Sequence, residues 1–436
     1  LVNDLRVEIA NMLEEAGAVG NIEAQALASW DMFDQNASSP FFDAQWMFDV
    51  KEGFDIVIGN PPYIRPQNLS TNVKIILWKN FSTFEKKSDF YVCFLQKGID
   101  SLCMSGVLSM IVSDGWLRLD SFEAIRKYIL TRSKIGLIVD FESDVFESAV
   151  VKTNILLTTK GHDTKNMTKA TRVSNTSALE HLSFKTIPQT VFENSYKSVF
   201  DLSYDEGTAH IKKKIESASI KIQDHFILTF GLKTGDDAKF LTFRKFSPLC
   251  KKLLRGADIG RYSYTYKGEY VFFDPVAMRK NRKTARPGSK ERFEQPKVLV
   301  RDTGGGLKCT FENEDYYVKD VIILSDGEGN TSALKMLAAI LNSKVMKFYY
   351  ETTFPTLHVQ SDELAMLPIR KDFVIDSPNL QVLALVDSII LAKQADPTAD
   401  TSEQERAIDL MVYKLYGLTY DEVKVVDPET TITEEE

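Results

Sequence analysis

The sequence predicts an α/β chain: part of a doubly wound sheet first, then an α+β domain, then C-terminal helices. Three observations carry this expectation. From Phe54 to about residue 141, strands of buried type alternate with amphipathic helices, the pattern of a parallel sheet with crossover helices. Beyond about residue 190 the pattern changes to short β-type runs (226–230, 269–273, 297–301, 316–324) between turn-rich loops, with a helix over 332–350. Near the end, Ile408, Met411, Val412 and Leu415 recur at helical spacing, with Ser402 and Glu405 as a capping box and Gly417 as the stop.

Taken in order, residues 3–16 read as a helix, and 35–53 as an irregular stretch rich in aromatics (Phe41, Phe42, Trp46, Phe48). Phe54–Gly59 is a buried strand. Tyr91, Phe94, Leu95, Ile99 and Leu102 then fall on one helical face. Residues 106–112 form a second strand, and 119–130 a helix with Phe122, Ile125, Ile129 and Leu130 inward. Residues 135–141 and 153–159 are two further strands, joined too closely for a crossover helix and therefore antiparallel. The Thr-, Lys-, Asn- and Ser-rich stretch 160–180 reads as a linker. The expected domains are 1–165, 190–375 and a helical segment 376–436.

At 436 residues the chain accommodates two or three cores, and 44% hydrophobic with 26% charged content is ordinary for a soluble protein. No uncharged apolar run approaches the ~18 residues of a membrane span. The first residues have no signal-peptide pattern and no initiating Met, so the chain reads as a portion of a longer cytoplasmic protein. Cys93, Cys103, Cys250 and Cys309 are far apart, as are the five histidines, so neither a disulfide framework nor a metal site is expected.

The net charge of −8 hides a strong local bias. Residues 279–301 carry nine cations against Glu291 and Glu294, and 244–255 carry five with no acid. Such faces suit phosphate contact. Arg279, Lys280, Arg282, Lys283 and Arg286 are the candidate phosphate contacts, with a solvated surface loop as the alternative.

The chemistry is concentrated in Asn60-Pro61-Pro62-Tyr63, at the carboxyl end of the first strand, where open α/β sheets bind their ligands. Two prolines remove two N–H groups and fix φ. The Asn60 side-chain carbonyl and the Pro61 carbonyl thereby become a rigid pair of acceptors, suited to a planar amino group, and Tyr63 can stack on the ring bearing it.

Asn-Pro-Pro-Tyr after a buried strand resembles motif IV of the adenine-N6 DNA methyltransferases. The tetrapeptide alone also occurs in enzymes that methylate a glutamine amide, and the neighbouring stretches decide between them. Ser88-Asp89-Phe90-Tyr91, residues 106–112 with Gly115-Trp116-Leu117, and Asp144-Val145-Phe146-Glu147 followed by 151–157 are similar to the later motifs of the DNA enzymes. Residues 254–259, 295–301, 341–344 and 364–369 resemble the family's specificity domain, and 408–418 its C-terminal end. The resemblance runs from about 40 to 426 and is closest to type IIG restriction–modification enzymes and phage-exclusion methylases.

That resemblance implies a Rossmann-like methyltransferase sheet followed by a target-recognition domain. It implies methyl transfer from S-adenosylmethionine to adenine N6 in duplex DNA, with the base flipped out of the helix. Asn60, Pro61, Pro62 and Tyr63 would be catalytic, and Phe146 would stack on the target base. The glycine-rich loop for S-adenosylmethionine is expected upstream of this chain, because Gly17 and Gly20 follow no strand and Gly304-Gly305-Gly306 precedes no helix. The alternative reading is a DNA-binding specificity module without independent catalysis.

Overall fold

The consecutive β-branched residues Ile56, Val57 and Ile58 favour extended backbone, and the chain forms its first strand there. The structure is a computed structural model that describes residues 2–15, 21–29, 44–142, 151–174, 182–303, 306–354 and 358–436. It divides into two compact units, Leu1–Leu202 and Ser203–Glu436.

The first unit contains helices α1 (Val2–Glu15), α2 (Asn21–Ser29), α3 (Ala44–Phe48), α4 (Thr71–Asn80), α5 (Tyr91–Ser101), α6 (Glu123–Arg132) and α7 (Gln189–Glu193). Its strands are β1 (Phe54–Gly59), β2 (Leu102–Ser113), β3 (Ser133–Phe141), β4 (Thr153–Lys160), β5 (Met167–Val173) and β6 (Lys185–Pro188), in the order β1-β2-β4-β3-β5-β6. β1 and β2 are parallel, β4 runs antiparallel to both of its neighbours, β5 is parallel to β3, and β6 is antiparallel to β5. The short β3–β4 connection thus gives the antiparallel pair its length predicts.

One sequence expectation is overturned here: 160–180 is not simply a linker. Met167–Val173 is a sheet strand, with Thr168, Ala170 and Val173 turned inward. Two of its buried positions, Thr168 and Ala170, carry small or hydroxylated side chains, so its composition imitates a loop while their spacing of two is that of a strand.

α5 lies on the sheet face formed by Val57, Leu108 and Met110. A Cβ at Gly98 would come within 3 Å of Leu108 and Met110, so glycine is what permits this close approach. α6 buries Arg126 completely, and its guanidinium donates to the carbonyls of Trp116, Leu119 and Lys197. On the opposite face, at the β1 edge, Ile56 is 70% and Ile58 79% exposed.

The second unit opens with α8 (Glu206–Glu216), β7 (Ile220–Lys221), β8 (Ile227–Phe230), α9 (Asp237–Phe240), β9 (Leu241–Thr242) and β10 (Cys250–Arg255). It continues with β11 (Ile259–Gly260), β12 (Ser263–Tyr264), β13 (Tyr270–Phe272), α10 (Pro275–Asn281), α11 (Lys290–Phe293), β14 (Lys297–Arg301), β15 (Cys309–Glu312), β16 (Tyr317–Lys319) and β17 (Val321–Ser325). Helices α12 (Thr331–Asn342), α13 (Lys344–Thr353), α14 (Ser361–Ala365), α15 (Leu380–Ala395), α16 (Ser402–Leu415) and α17 (Tyr420–Val426) follow, with β18 (Pro368–Ile369) after α14. Two four-stranded sheets, β16-β10-β13-β9 and β15-β14-β17-β8, organise the β part. Leu253, Leu254, Val271, Phe293, Leu299, Tyr317 and Ile323 share one core cluster that draws on both.

Three local expectations change. The single helix over 332–350 is two helices, because Ser343 turns extended (φ −69°, ψ 156°) and its hydroxyl caps α13 at Met346. The β run 316–324 is two strands broken at Asp320, whose φ is +56°. The start of α16 is set by Thr401 as N-cap residue, whose hydroxyl bonds Glu405, with Ser402 already inside the helix.

Asp409 of α16 is buried and accepts a hydrogen bond from the Lys344 N–H at 2.8 Å. Burial pushes its pKa up to about 6, against the pull of Arg261 and Lys344. A carboxyl raised in the folded state favours folding fully below its ordinary pKa near 4, and that contribution is lost as pH rises through 6. Asp409→Asn is therefore expected to stabilise the second unit at pH 8 by about 2–3 kcal/mol relative to its effect at pH 4. Denaturant titrations at the two pH values check this, and equal effects would contradict it.

Candidate functional site

Parallel pairing places Gly59 level with Met110, so the chain leaving β1 runs beside the last residues of β2. Pro61 is buried, Tyr63 half-buried, and Asn60 and Pro62 exposed. The Ile64 N–H donates to the Pro62 carbonyl at 3.1 Å, which tightens the turn. The Phe90 N–H donates to the Ile64 carbonyl at 2.9 Å, tying the turn to the start of α5. Among the described residues no donor engages the Pro61 carbonyl.

The Tyr63 hydroxyl lies 3.1 Å from Asn60 Oδ1 and 3.1 Å from the Ile111 carbonyl. With one proton, it donates to one of them at a time. Burial pushes its pKa up, so it stays a neutral donor. Its ring meets Tyr91 edge-on at 6.2 Å, and Tyr91 in turn stacks on Phe122 at 5.7 Å. Tyr91 is fully buried and donates to the Ser113 carbonyl. The acceptor turn therefore rests on a packed aromatic column.

Charged groups line the same end of the sheet. Asp114 follows β2, and its N–H donates to the Lys152 carbonyl at 3.0 Å. Asp140 of β3 lies 3.4 Å from Arg118 and 3.5 Å from Arg172. Burial raises the pKa of both carboxyls, with Arg118 the main opposing influence on each. Burial likewise raises Asp89, beside Arg65. Phe146 lies outside the described residues.

In the second unit, Arg279 and Lys280 sit on α10, and Arg282, Lys283 and Arg286 follow it. An antiparallel bridge holds that segment in place: Lys233 and Arg286 exchange both backbone hydrogen bonds at 2.8 Å. Arg279, Lys283 and Arg286 line a cavity of about 660 Å³, and Lys280 and Arg282 do not. Lys233, Arg292 and Phe230 also line it and were not among the candidates. Arg292 was visible in the basic run, whereas Lys233 stands alone in sequence and arrives only through the bridge. Among the described residues no carboxylate ion-pairs with Lys233, Arg279, Lys283, Arg286 or Arg292. Among them, too, no cluster of His, Cys, Asp or Glu could hold a metal, and no helix is long and apolar enough to cross a membrane.

The family model of the Eco57I restriction–modification methylase matches residues 6–146, and that of the TaqI-like C-terminal specificity domain matches residues 251–369. In both of these stretches the chain is similar to restriction–modification methylases. The first match spans β1, the acceptor turn and the aromatic column. The second spans α10 and most of the basic cavity. The chain is 23% identical over 457 residues to the type II methyltransferase M.BstVI of Geobacillus stearothermophilus, covering 87% of this chain and 77% of that one. It is 28% identical over 91 residues to the adenine-specific methyltransferase BrxX of Escherichia coli, covering 21% and 7%. Among solved structures it is similar to the type IIL restriction–modification enzyme MmeI in complex with DNA, with TM-score 0.47 and 11% identity, covering 87% of this chain and 55% of that one. The chain thus spans about half the length of that solved enzyme.

Proposed function

We propose that this protein transfers a methyl group to adenine N6 in duplex DNA. The observation that carries the reading is the turn at the end of β1, where a rigid main-chain acceptor at Pro61 stands unengaged beside Asn60 Oδ1. The exocyclic amine of adenine has two hydrogens to place, and these two oxygens suit them. When the amine takes Asn60, the Tyr63 hydroxyl keeps the Ile111 carbonyl as its acceptor, so no polar group is stranded. Holding both amino hydrogens draws the nitrogen toward tetrahedral geometry and aims its lone pair, which is catalysis by positioning and preorganised dipoles. No tuned base is needed, because the proton can leave after transfer. Pro62 shapes the wall of the site, and Tyr63 and Phe146 are proposed to face the extruded ring.

S-adenosylmethionine is the proposed methyl source and supplies an electrophilic methyl on a sulfonium. The described residues do not fit its binding: no strand of the sheet passes through a glycine-rich turn into a helix among them, and no step is assigned to residues holding it. Residues 1–165 are proposed as part of the catalytic domain, 190–375 as target recognition and 376–436 as a helical tail. Calorimetric titration with S-adenosylmethionine separates catalysis from the second reading, a specificity module alone. Tight binding by this chain excludes the module, and absence of binding favours it.

The basic cavity is proposed to hold DNA phosphates. Replacing Arg279, Lys283 and Arg286 together by Gln is expected to reduce the slope of log K against log salt by about 2 to 3, near 0.9 per phosphate contact. Fluorescence anisotropy on a labelled duplex at several salt concentrations measures it. An unchanged slope would place the three side chains in solvent only.

A further inference from the structure

Between β9 and β10 the chain crosses β13 from its Tyr270 end to its Phe272 end, and on the way it leaves large apolar side chains in water. Phe243 is 73% and Phe246 61% exposed. The loop is nevertheless built. The Arg244 N–H donates to Thr242 Oγ1 at 3.0 Å, the Cys250 N–H to the Ser247 carbonyl at 3.0 Å, and Phe246 stacks on Phe272 at 5.5 Å with 25° between the rings. Phe243 has no ring partner among the described residues and projects beyond this support.

The electrostatic setting is one-sided. No acid occurs between Asp237 and Asp258 in the sequence. Lys251 is committed to Glu294 and Arg255 to Glu269, but Arg244 and Lys245, flanked by the two phenylalanines, have no carboxylate partner among the described residues. The Phe273 N–H donates to the Leu249 carbonyl at 2.9 Å, which holds the loop against the segment leading into α10 and its Arg279.

We propose that the 243–249 loop is a wedge that inserts Phe243 between base steps of duplex DNA, with Phe246 as its brace and Arg244 and Lys245 on the flanking phosphates. Nucleic acid is the polyanion that offers flat apolar rings between negative charges, which is the complement of this surface. A wedge that unstacks a step would reduce the cost of extruding a neighbouring base. The inference rests on the DNA reading given above.

The test uses the full chain, a labelled mixed-sequence duplex, and the variants Phe243→Ala and Phe243→Trp, the exposed position leaving the core untouched. Phe243→Ala is expected to weaken duplex binding about 10-fold at fixed salt without changing the salt slope, because the phosphate contacts remain. Phe243→Trp is expected to restore binding and to show added indole quenching on the duplex. If the parent binds the duplex with a salt-dependent slope and Phe243→Ala binds equally well, the wedge is refuted while the DNA reading stands. If the parent does not bind duplex at all, the DNA reading falls and the wedge with it. If Phe243→Ala alters only the sedimentation of the free protein, the loop is a protein contact and the proposal is overturned.

Discussion

Replacing Asn60 by Ala is expected to lower methyl transfer by at least about 10²–10³-fold, the loss that follows removal of one preorganised polar group at a reacting centre. Duplex binding should stay close to that of the parent, since the basic cavity belongs to the other unit. Fold is not at stake. Asn60 is exposed, and the Tyr63 hydroxyl has the Ile111 carbonyl as a second acceptor at the same 3.1 Å. Asn60→Asp, which keeps an acceptor oxygen in place, should lose less than Asn60→Ala. Single-turnover transfer of labelled methyl groups into duplex DNA by the methylation-competent enzyme is the measurement. Full activity in Asn60→Ala would remove the acceptor turn from the mechanism.

The largest expected effect on stability lies in the second unit, where Lys297 and Glu312 form a fully buried ion pair across β14 and β15. The ammonium also donates to the carbonyls of Phe293 and Gln295, and the carboxylate accepts from the N–H groups of Glu314 and Tyr316. Burial pushes the Glu312 pKa up, with Lys297 pulling it down. Lys297→Met removes the counter-charge and is expected to cost about 3–5 kcal/mol at neutral pH, the penalty of an uncompensated buried charge. The loss should shrink as pH falls, because a carboxyl raised in the folded state contributes most below its ordinary pKa and least above its folded one. The double substitution Lys297→Met/Glu312→Leu should recover most of the stability, since two apolar groups strand no charge. Urea unfolding followed by circular dichroism checks both, and a single variant as stable as the parent would mean that water reaches the pair.

Local backbone geometry was legible in the sequence. Asn60 to Tyr63 announces itself because two prolines after a strand prescribe the turn, and the structure leaves the Pro61 carbonyl unengaged there. The short connection after β3 dictated an antiparallel partner. What was not legible depends on distant partners. Asn342 ends α12 by bonding both main-chain groups of Cys309, a residue 33 positions away. Lys233 joins the basic cavity through a backbone bridge to Arg286. β5 was hidden because two of its three buried positions, Thr168 and Ala170, carry no large apolar residue. In each case the deciding contact lies outside any sequence window.

The acceptor turn hangs from the sheet's edge strand. Among the described strands β1 is hydrogen-bonded only to β2, and one of its faces shows Ile56 and Ile58 to solvent. The other face packs on α5, where Val57 meets Gly98, and the turn beyond the strand is tied to Ile111 and Phe90. Whatever packs along β1 therefore sets the placement of Asn60 from behind, through the strand rather than through the site.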